Sequence, residues 1–338
     1  MSTDQHFPSV HEGVQSFALS IIVVSYNTRD ITLACLDSLA VELKRLPPAS
    51  VEVIVVDNDS TDGSAEALAG HPAITTYMPL GQNIGFGRAN NLAARHASGE
   101  YILLLNPDTI VLERAIVHLL DFARSNPDAG IWGGRTLFAD GRLNPGSCWG
   151  RMTAWNQLCR ATGLTGLFKG SEIFNGEAYG SWPRDYIRHV DIVSGCFFLT
   201  TRALWRQLDG FDPLFWMYGE EADFCLRAGR VGYRPMITPA ATIIHLGGAS
   251  ERTRTGKMVK LLAAKASLIR RHWRPHLVPV GLVLLEAWPF SRWLFLSIVS
   301  RLTGSTGLRQ SAGVWREIWD ARGEWRLGYE AACGAPAE

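Results

Sequence analysis

The sequence has no CxxC pair, no excess of either charge, no internal repeat and no low-complexity tract. Its six cysteines, Cys35, Cys148, Cys159, Cys196, Cys225 and Cys333, lack metal-ligand spacing, which excludes a zinc ribbon or dithiol motif and leaves reduced thiols as the expectation. With 33 basic and 32 acidic residues the formal net charge is +1, so no chain-wide field favours nucleic acid, and none is expected as a partner. Residues 1–17 lack a basic leader and a long apolar core; they are expected to be a flexible N-terminus of a protein that stays on the cytoplasmic side. No clean stretch of about 20 apolar residues exists to span a bilayer. What is present, 47% hydrophobic and 19% charged residues, is the composition of a globular protein.

Three short apolar runs set the architecture. Leu19–Ser25, Val51–Val56 and Tyr101–Leu105 are too rich in aliphatic residues for one-sided strands and read as buried parallel strands. Helical patterns over Ile31–Leu43, Ala65–Leu68, Arg88–His96 and Glu113–Ser125 alternate with them, which predicts a doubly wound α/β sheet. Later strands are expected over Asp191–Thr200 and Ala241–Leu246, a helix over Glu220–Arg230, and a long looped insertion over residues 136–185. Ligands of such sheets lie beyond the carboxyl ends of the strands. Ser25-Tyr26-Asn27, Asp57-Asn58 and Asn106-Pro107-Asp108 stand there.

From about residue 255 the chain turns helical and rich in Arg and Trp, and it is strongly apolar over Leu277–Leu302, though Pro279, Glu286, Pro289 and Arg292 interrupt that run. An interfacial helix pair on the inner face of a membrane is expected, with a helical cap on the catalytic part as the alternative. The expected division is thus 1–17, 18–254 and 255–338.

The ordered set SIIVVSYN at 20–27, VIVVDNDSTDGS at 53–64, NIGFGRANN at 83–91, YILLLNPD at 101–108, VSGCFFLTTR at 193–202, YGEEADFCLR at 218–227 and IIHLGGAS at 243–250 resembles the family 2 glycosyltransferases, in particular their rhamnosyltransferase-like members. The resemblance spans about residues 18–250 and implies a GT-A fold: a mixed, mainly parallel sheet, here with a C-terminal helical extension. It implies that Asp57 accepts the imide N–H of uracil or thymine, with Ser25, Tyr26 and Asn27 beside the base. A turn aspartate is the plainer reading of Asp57, and removing a solvent-facing residue there is expected to leave the fold intact. Asn83, Gly85, Phe86 and Asn90, with Arg88, would line the donor pocket at a helix start, where N–H groups favour phosphate. Asn106 and Asp108 occupy the place of the family's DxD motif; Asp108 is the expected ligand of Mg²⁺ or Mn²⁺, and Asn106 a sugar or ribose contact. His245, followed by Gly247-Gly248 and near Arg252 and Arg254, is implied as a second metal or diphosphate contact.

For the general base the resemblance points to the second acid of Glu220-Glu221, where this chain has Glu in place of the family's Asp, so the assignment stays between the two. Asp223 is either catalytic or an i, i+4 ion pair with Arg227. Asp191 and Gly195 fall on the acceptor side. Cys196 reads as a small buried residue without a basic neighbour, and Trp149, Trp155 and Trp182 as sugar platforms or core.

Together these imply an inverting, metal-dependent transferase moving a sugar, rhamnose being one candidate, from a dTDP- or UDP-sugar to a saccharide or lipid-linked saccharide in surface polysaccharide or cell-wall synthesis. A sugar-nucleotide nucleotidyltransferase would carry a Gly-rich basic loop after its first strand, where this chain has Ser25-Tyr26-Asn27-Thr28. An inactive scaffold would have no need of Asp57, Asp108 and the acids at 220–223 together.

Overall fold

The computed structural model describes residues 17–247 and 254–329. The expectations for residues 1–16, Gly248 and Arg252 lie outside them. In the first half, β1 (Leu19–Ser25), α1 (Arg29–Leu43), β2 (Val51–Asp57), α2 (Ser64–Ala69), β3 (Thr76–Pro79), α3 (Phe86–His96) and β4 (Tyr101–Leu105) form the expected alternation. β1 pairs in parallel with β2 and β4, with Ile22 beside both Ile54 and Leu104, so the three carboxyl ends lie side by side. Every residue of β1 is buried. Ile22 and Ile54 enter one core with α3, while Ile21 and Val23 enter a second with α1, which is why the run shows no polar alternation.

Beyond β4 come β5 (Thr109–Val111), α4 (Ala115–Ser125), β6 (Ile131–Leu137), β7 (Leu143–Asn144), β8 (Cys148–Trp149), α5 (Ala154–Thr162), α6 (Leu164–Leu167), β9 (Arg188–His189), β10 (Ile192–Val193), β11 (Phe197–Thr201), α7 (Arg202–Gln207), α8 (Glu220–Arg230) and β12 (Met236–His245). The main sheet runs β3-β2-β1-β4-β11-β6-β12-β5, with β7 on β6 and β9 on β12. β11 is antiparallel to both its neighbours, β4 and β6, so the sheet is mixed. The single strand expected over Asp191–Thr200 is broken at Ser194-Gly195-Cys196, because β10 leaves to pair with β8. β12 begins earlier than expected and shifts register between Thr238 and Thr242. The insertion over 136–185 holds short elements as well as loops.

At the amino ends of the strands a buried carboxylate ties the layers. Glu52 Oε1 accepts hydrogen bonds from Ser20 Oγ at 2.5 Å, Ser98 N at 2.6 Å, Ser98 Oγ at 2.9 Å and Gly99 N at 3.3 Å. This joins β1, β2 and the entry to β4.

The C-terminal helices are α9 (Arg254–His272), α10 (Val278–Thr303), α11 (Thr306–Asp320) and α12 (Arg322–Trp325). They close a core of their own around Ile269, Leu285, Ile318 and Trp325, while Leu268 of α9 belongs to the core under α8. Two helices stand over residues 255–303 as expected, α9 and α10, but the expectation of no apolar stretch of membrane length fails because α10 runs on through both prolines: Pro279 sits in its first turn, where the missing N–H costs little, and Pro289 lies inside it. The stretch Pro275–Thr303 is long and apolar enough to cross a membrane by length and composition. One face of α10, through Gly281, Leu285 and Trp288, is buried. Its other face leaves Val283, Phe290, Leu294, Phe295, Ile298 and Leu302 exposed.

Candidate active site

A cavity of about 290 Å³ opens at the carboxyl ends of the strands. Of the expected residues, Tyr26, Asn83, Phe86, Asn106, Asp108, Gly195, Glu220, Glu221 and His245 line it. A second cavity of about 1000 Å³ adjoins it, and Ser194, Tyr218, Glu221, His245, Gly247 and Lys257 line both.

Around the first cavity, loops are locked to each other by side-chain amides. Asn58 donates to Asn83 Oδ1 at 2.9 Å and accepts from Ile84 N at 2.9 Å, while Asn83 Oδ1 also accepts from Gly85 N at 3.0 Å. Gly85 has φ +83°, and a Cβ there would meet the Trp216 carbonyl oxygen at 2.6 Å, so only glycine lets the loop before α8 close over α3. Phe86 N donates to that carbonyl at 3.2 Å. Gly85 therefore shapes the cavity without lining it.

Asp108, 8% exposed, faces His245 across 3.2 Å between Oδ1 and Nε2. Burial alone would lower the His245 pKa, but Cys196 and Asp108 outweigh it and raise it to about 10. Cys196 thus has the histidine neighbour that its sequence surroundings did not reveal. Asn106 Nδ2 lies 3.5 Å from His245 Nε2, while Asn106 Oδ1 is buried with no partner among the described residues. An orphaned amide oxygen, a carboxylate and an imidazole converging on one cavity suit a partial shell for a hard divalent cation, the rest coming from diphosphate oxygens and water. Among the described residues no cluster of three or more His, Cys, Asp or Glu side chains could hold a metal by itself.

Tyr218 (φ +68°) and Gly219 (φ +92°) turn the chain into α8 and deliver Glu220 and Glu221 at its first turn. Their environments differ. Glu220 is 4% exposed, its Oε2 has no partner among the described residues, and burial, followed by the charge of Glu221, pushes its pKa well above the ordinary carboxylate range. Glu221 is half-buried; burial raises its pKa too, against the opposing pull of backbone N–H groups at the helix start. Glu220 faces only the smaller cavity, whereas Glu221 faces both. The Cβ that Gly195 lacks would lie 3.9 Å from that of Glu221.

Several expected site residues carry structural hydrogen bonds. Asp57, 2% exposed, accepts from Ser60 N at 2.9 Å and from Tyr77 Oη at 2.9 Å, so both oxygens are engaged and the residue does not line the cavity. It is not solvent-facing. Ser25 Oγ is buried against the hydroxyls of Thr28 and Thr32. Asn27 accepts from Thr61 N at 2.7 Å and joins the loops after β1 and β2. Asn90 turns back to the Phe86 carbonyl, and Arg88 to that of Pro213. Asp191 pairs with Arg151 at the rim.

Asp223 is a correction. It is fully buried and held by Arg227 at 2.6 Å, His272 Nε2 at 2.8 Å and Arg271 at 3.1 Å, and it lines neither cavity. Burial opposes its ionisation, but His272 and Arg227 prevail and lower its pKa. It fastens α8 to α9. Trp182 is core, Trp155 bonds the Ile173 carbonyl, and Trp149 alone of the three lines the larger cavity.

The cavity also contains residues that were not anticipated: Thr28, Trp216, Tyr218, Lys257 and Lys260. Lys260 Nζ lies 5.6 Å from the Trp216 ring centroid, a cation over an aromatic face. Both lysines stand beyond the resembling segment; their one signal was a pair of cations three apart at the start of a helix.

The family model described as "Glycosyl transferase family 2" matches residues 20–179. Among curated proteins, the N-acetylglucosaminyl-diphospho-decaprenol L-rhamnosyltransferase of Mycobacterium tuberculosis is 26% identical over 251 residues, covering 67% of this chain and 75% of that protein. Rhamnosyltransferase WbbL of Escherichia coli is 27% identical over 240 residues, covering 69% and 85%. Among solved structures, a mannosyltransferase from Pyrobaculum calidifontis in complex with GDP-Man and Mn²⁺ superposes with a TM-score of 0.57 at 16% identity, over 92% of this chain and 88% of that one. At that identity the likeness is one of fold, and the fold is of the GT-A type.

Proposed function

We propose that the chain is a glycosyltransferase of surface polysaccharide or cell-wall synthesis, of the family 2 whose model matches its residues 20–179, and that it transfers its sugar with inversion, from a dTDP- or UDP-sugar to a lipid-linked saccharide. The observation that carries this reading is the position of Glu221 on the wall common to both cavities. A base there reaches an acceptor hydroxyl entering from the larger cavity while the donor fills the smaller. In one displacement that hydroxyl oxygen bonds the anomeric carbon, the bond from that carbon to the diphosphate oxygen breaks on the opposite face, Glu221 takes the hydroxyl proton, and the nucleoside diphosphate departs with its negative charge.

Asp108, with His245 and the free Oδ1 of Asn106, would hold Mg²⁺ or Mn²⁺. The ion's contribution when bound is positive charge against the leaving diphosphate. Lys257 and Lys260 add cationic charge on the same cavity. Glu220, whose pKa burial raises well above the ordinary range, lines only the smaller cavity and not the one from which the acceptor would enter.

Rhamnose as the sugar rests on the names of the two relatives, and a lipid diphosphate acceptor on that of the mycobacterial one. Attachment to the inner face of the membrane rests on the exposed apolar face of α10. Incubation with radiolabelled dTDP-rhamnose and UDP-sugars, with and without lipid-linked saccharide, tests the whole. Acceptor-dependent release of nucleoside diphosphate is expected. Release of pyrophosphate would indicate nucleotidyl transfer, and donor binding without turnover a scaffold; either result refutes the proposal.

A further inference from the structure

The larger cavity is a trough between α8 and α9, and its walls are regular. On α8 it is lined by Ala222, Leu226 and Gly229, and on α9 by Leu261, Ala264 and Leu268, in each case one stripe at helical spacing. It begins at Glu221 and reaches Arg230, about 13 Å along the helix axis at 1.5 Å per residue. At that far end Trp273, Arg274 and Leu277 form its lip, and Leu277 directly precedes α10 with its exposed apolar face.

The charges along the trough do not balance. Glu177 is matched by Arg160 and Lys265, and Arg151 by Asp191. Among the described residues no carboxylate pairs with Lys257, Arg230 or Arg274, although Arg230 Nη2 also meets the Arg271 carbonyl at 3.3 Å and His272 Nδ1 at 2.9 Å, and among them Glu221 at the inner end is the lining acid that no cation matches. The two aliphatic stripes offer a sugar no side-chain hydrogen bonds, the polar groups of the lining such as Asn144, Arg151, Thr153 and Ser194 lie off them, and Arg230 and Arg274 at the mouth favour an anion. The combination fits an amphiphile: a polar end at the base, an anionic linker at the mouth, and an apolar chain leaving over Trp273 and Leu277.

We infer that the α8–α9 trough seats a lipid-phosphate acceptor, with its reacting sugar at Glu221, its phosphate linker between Arg230 and Arg274, and its chain running onto the outer face of α10. The inference rests on the acceptor reading above and specifies where that acceptor lies. A soluble saccharide would occupy the inner end alone.

Gly229 supplies a direct test, because a Cβ there meets nothing within 4 Å and its φ is not left-handed. Gly229→Trp fills the trough without displacing backbone, and it stands eight residues from Glu221 on the same helix. Its KM for a lipid-phosphate saccharide should rise about tenfold or more, while the Kd for donor nucleotide, measured without acceptor, holds. Arg274→Glu, an exposed change that spares the core, should raise KM by a similar factor for the lipid-phosphate acceptor and leave it unchanged for the same sugar on a neutral alkyl aglycone. Wild-type KM in both variants overturns the trough assignment alone. Wild-type enzyme that ignores lipid-phosphate acceptors and glycosylates a free saccharide overturns the acceptor reading itself.

Discussion

His245 Nε2 stands 3.2 Å from Asp108 Oδ1, joining the end of β12 to the loop after β4 beside an amide oxygen that no group among the described residues satisfies. Asp108 supplies the carboxylate of this group, and a carboxylate oxygen is the ligand that a hard divalent cation prefers. Asp108→Asn should therefore lower kcat about a hundredfold or more and abolish Mn²⁺ binding by calorimetry in the presence of nucleoside diphosphate. Undiminished turnover in excess chelator would exclude a metal-dependent reaction.

The two neighbouring glutamates should separate by pH. Glu221 works as a base only when ionised, and its pKa is raised, so kcat/KM should climb with pH through a value above the ordinary carboxylate range and then level off. Glu221→Gln should cost about 10²–10⁴ in turnover with donor affinity nearly unchanged, and Glu221→Asp should retain substantial activity. A live Glu221→Gln beside a dead Glu220→Gln would reverse the roles.

For Glu220 the sign of the linkage concerns stability. Its pKa is raised in the folded state, so its contribution is complete below the ordinary value of 4.5 and is lost as pH rises through the folded value. Glu220→Gln needs no proton, and its Tm at pH about 8 should exceed that of the wild type. Thermal melts across pH would expose the opposite result as a lower, still pH-dependent Tm.

Asp57 should now behave as a structural as well as a donor-side residue. Asp57→Ala strands the Tyr77 hydroxyl, whose pKa is raised by burial and by Asp57 and which therefore remains a donor. A loss of about 1–3 kcal/mol in chemical denaturation is expected, together with weaker nucleotide binding. If both quantities match the wild type, neither role holds.

Membrane attachment through α10 predicts that Leu294→Glu with Phe295→Glu, both exposed, abolishes co-sedimentation with anionic vesicles while leaving the melting curve in place. Recovery of the wild type in the soluble fraction at low salt without detergent would count against attachment.

Much of this was legible. β1, β2 and β4 announced themselves because strands buried on both faces carry unbroken apolar runs, and α8 appears with its expected bounds because its acids, apolar stripe and closing arginines agree. What the sequence could not express was partnership. Asp223 looked equally like a catalyst and a helix-surface ion pair because its decisive partner, His272, comes from another helix. Asp57 looked exposed because Tyr77 arrives from β3, a strand too short and mixed to stand out. Gly195 and Cys196 lay inside what read as one strand, and only the departure of β10 to β8 turns them toward the cavity.

The knot around Glu52 lies at the end of the sheet opposite the reaction. Because each of β1, β2 and β4 has its fastening at the amino end and its chemistry at the carboxyl end, robustness and selectivity are encoded in separate positions of the same strands. A lineage can therefore exchange cavity residues such as Tyr26 and Trp216 to accept a new donor while the anchor that keeps the scaffold upright goes untouched, and a fold of this build can diversify in substrate without first becoming more stable.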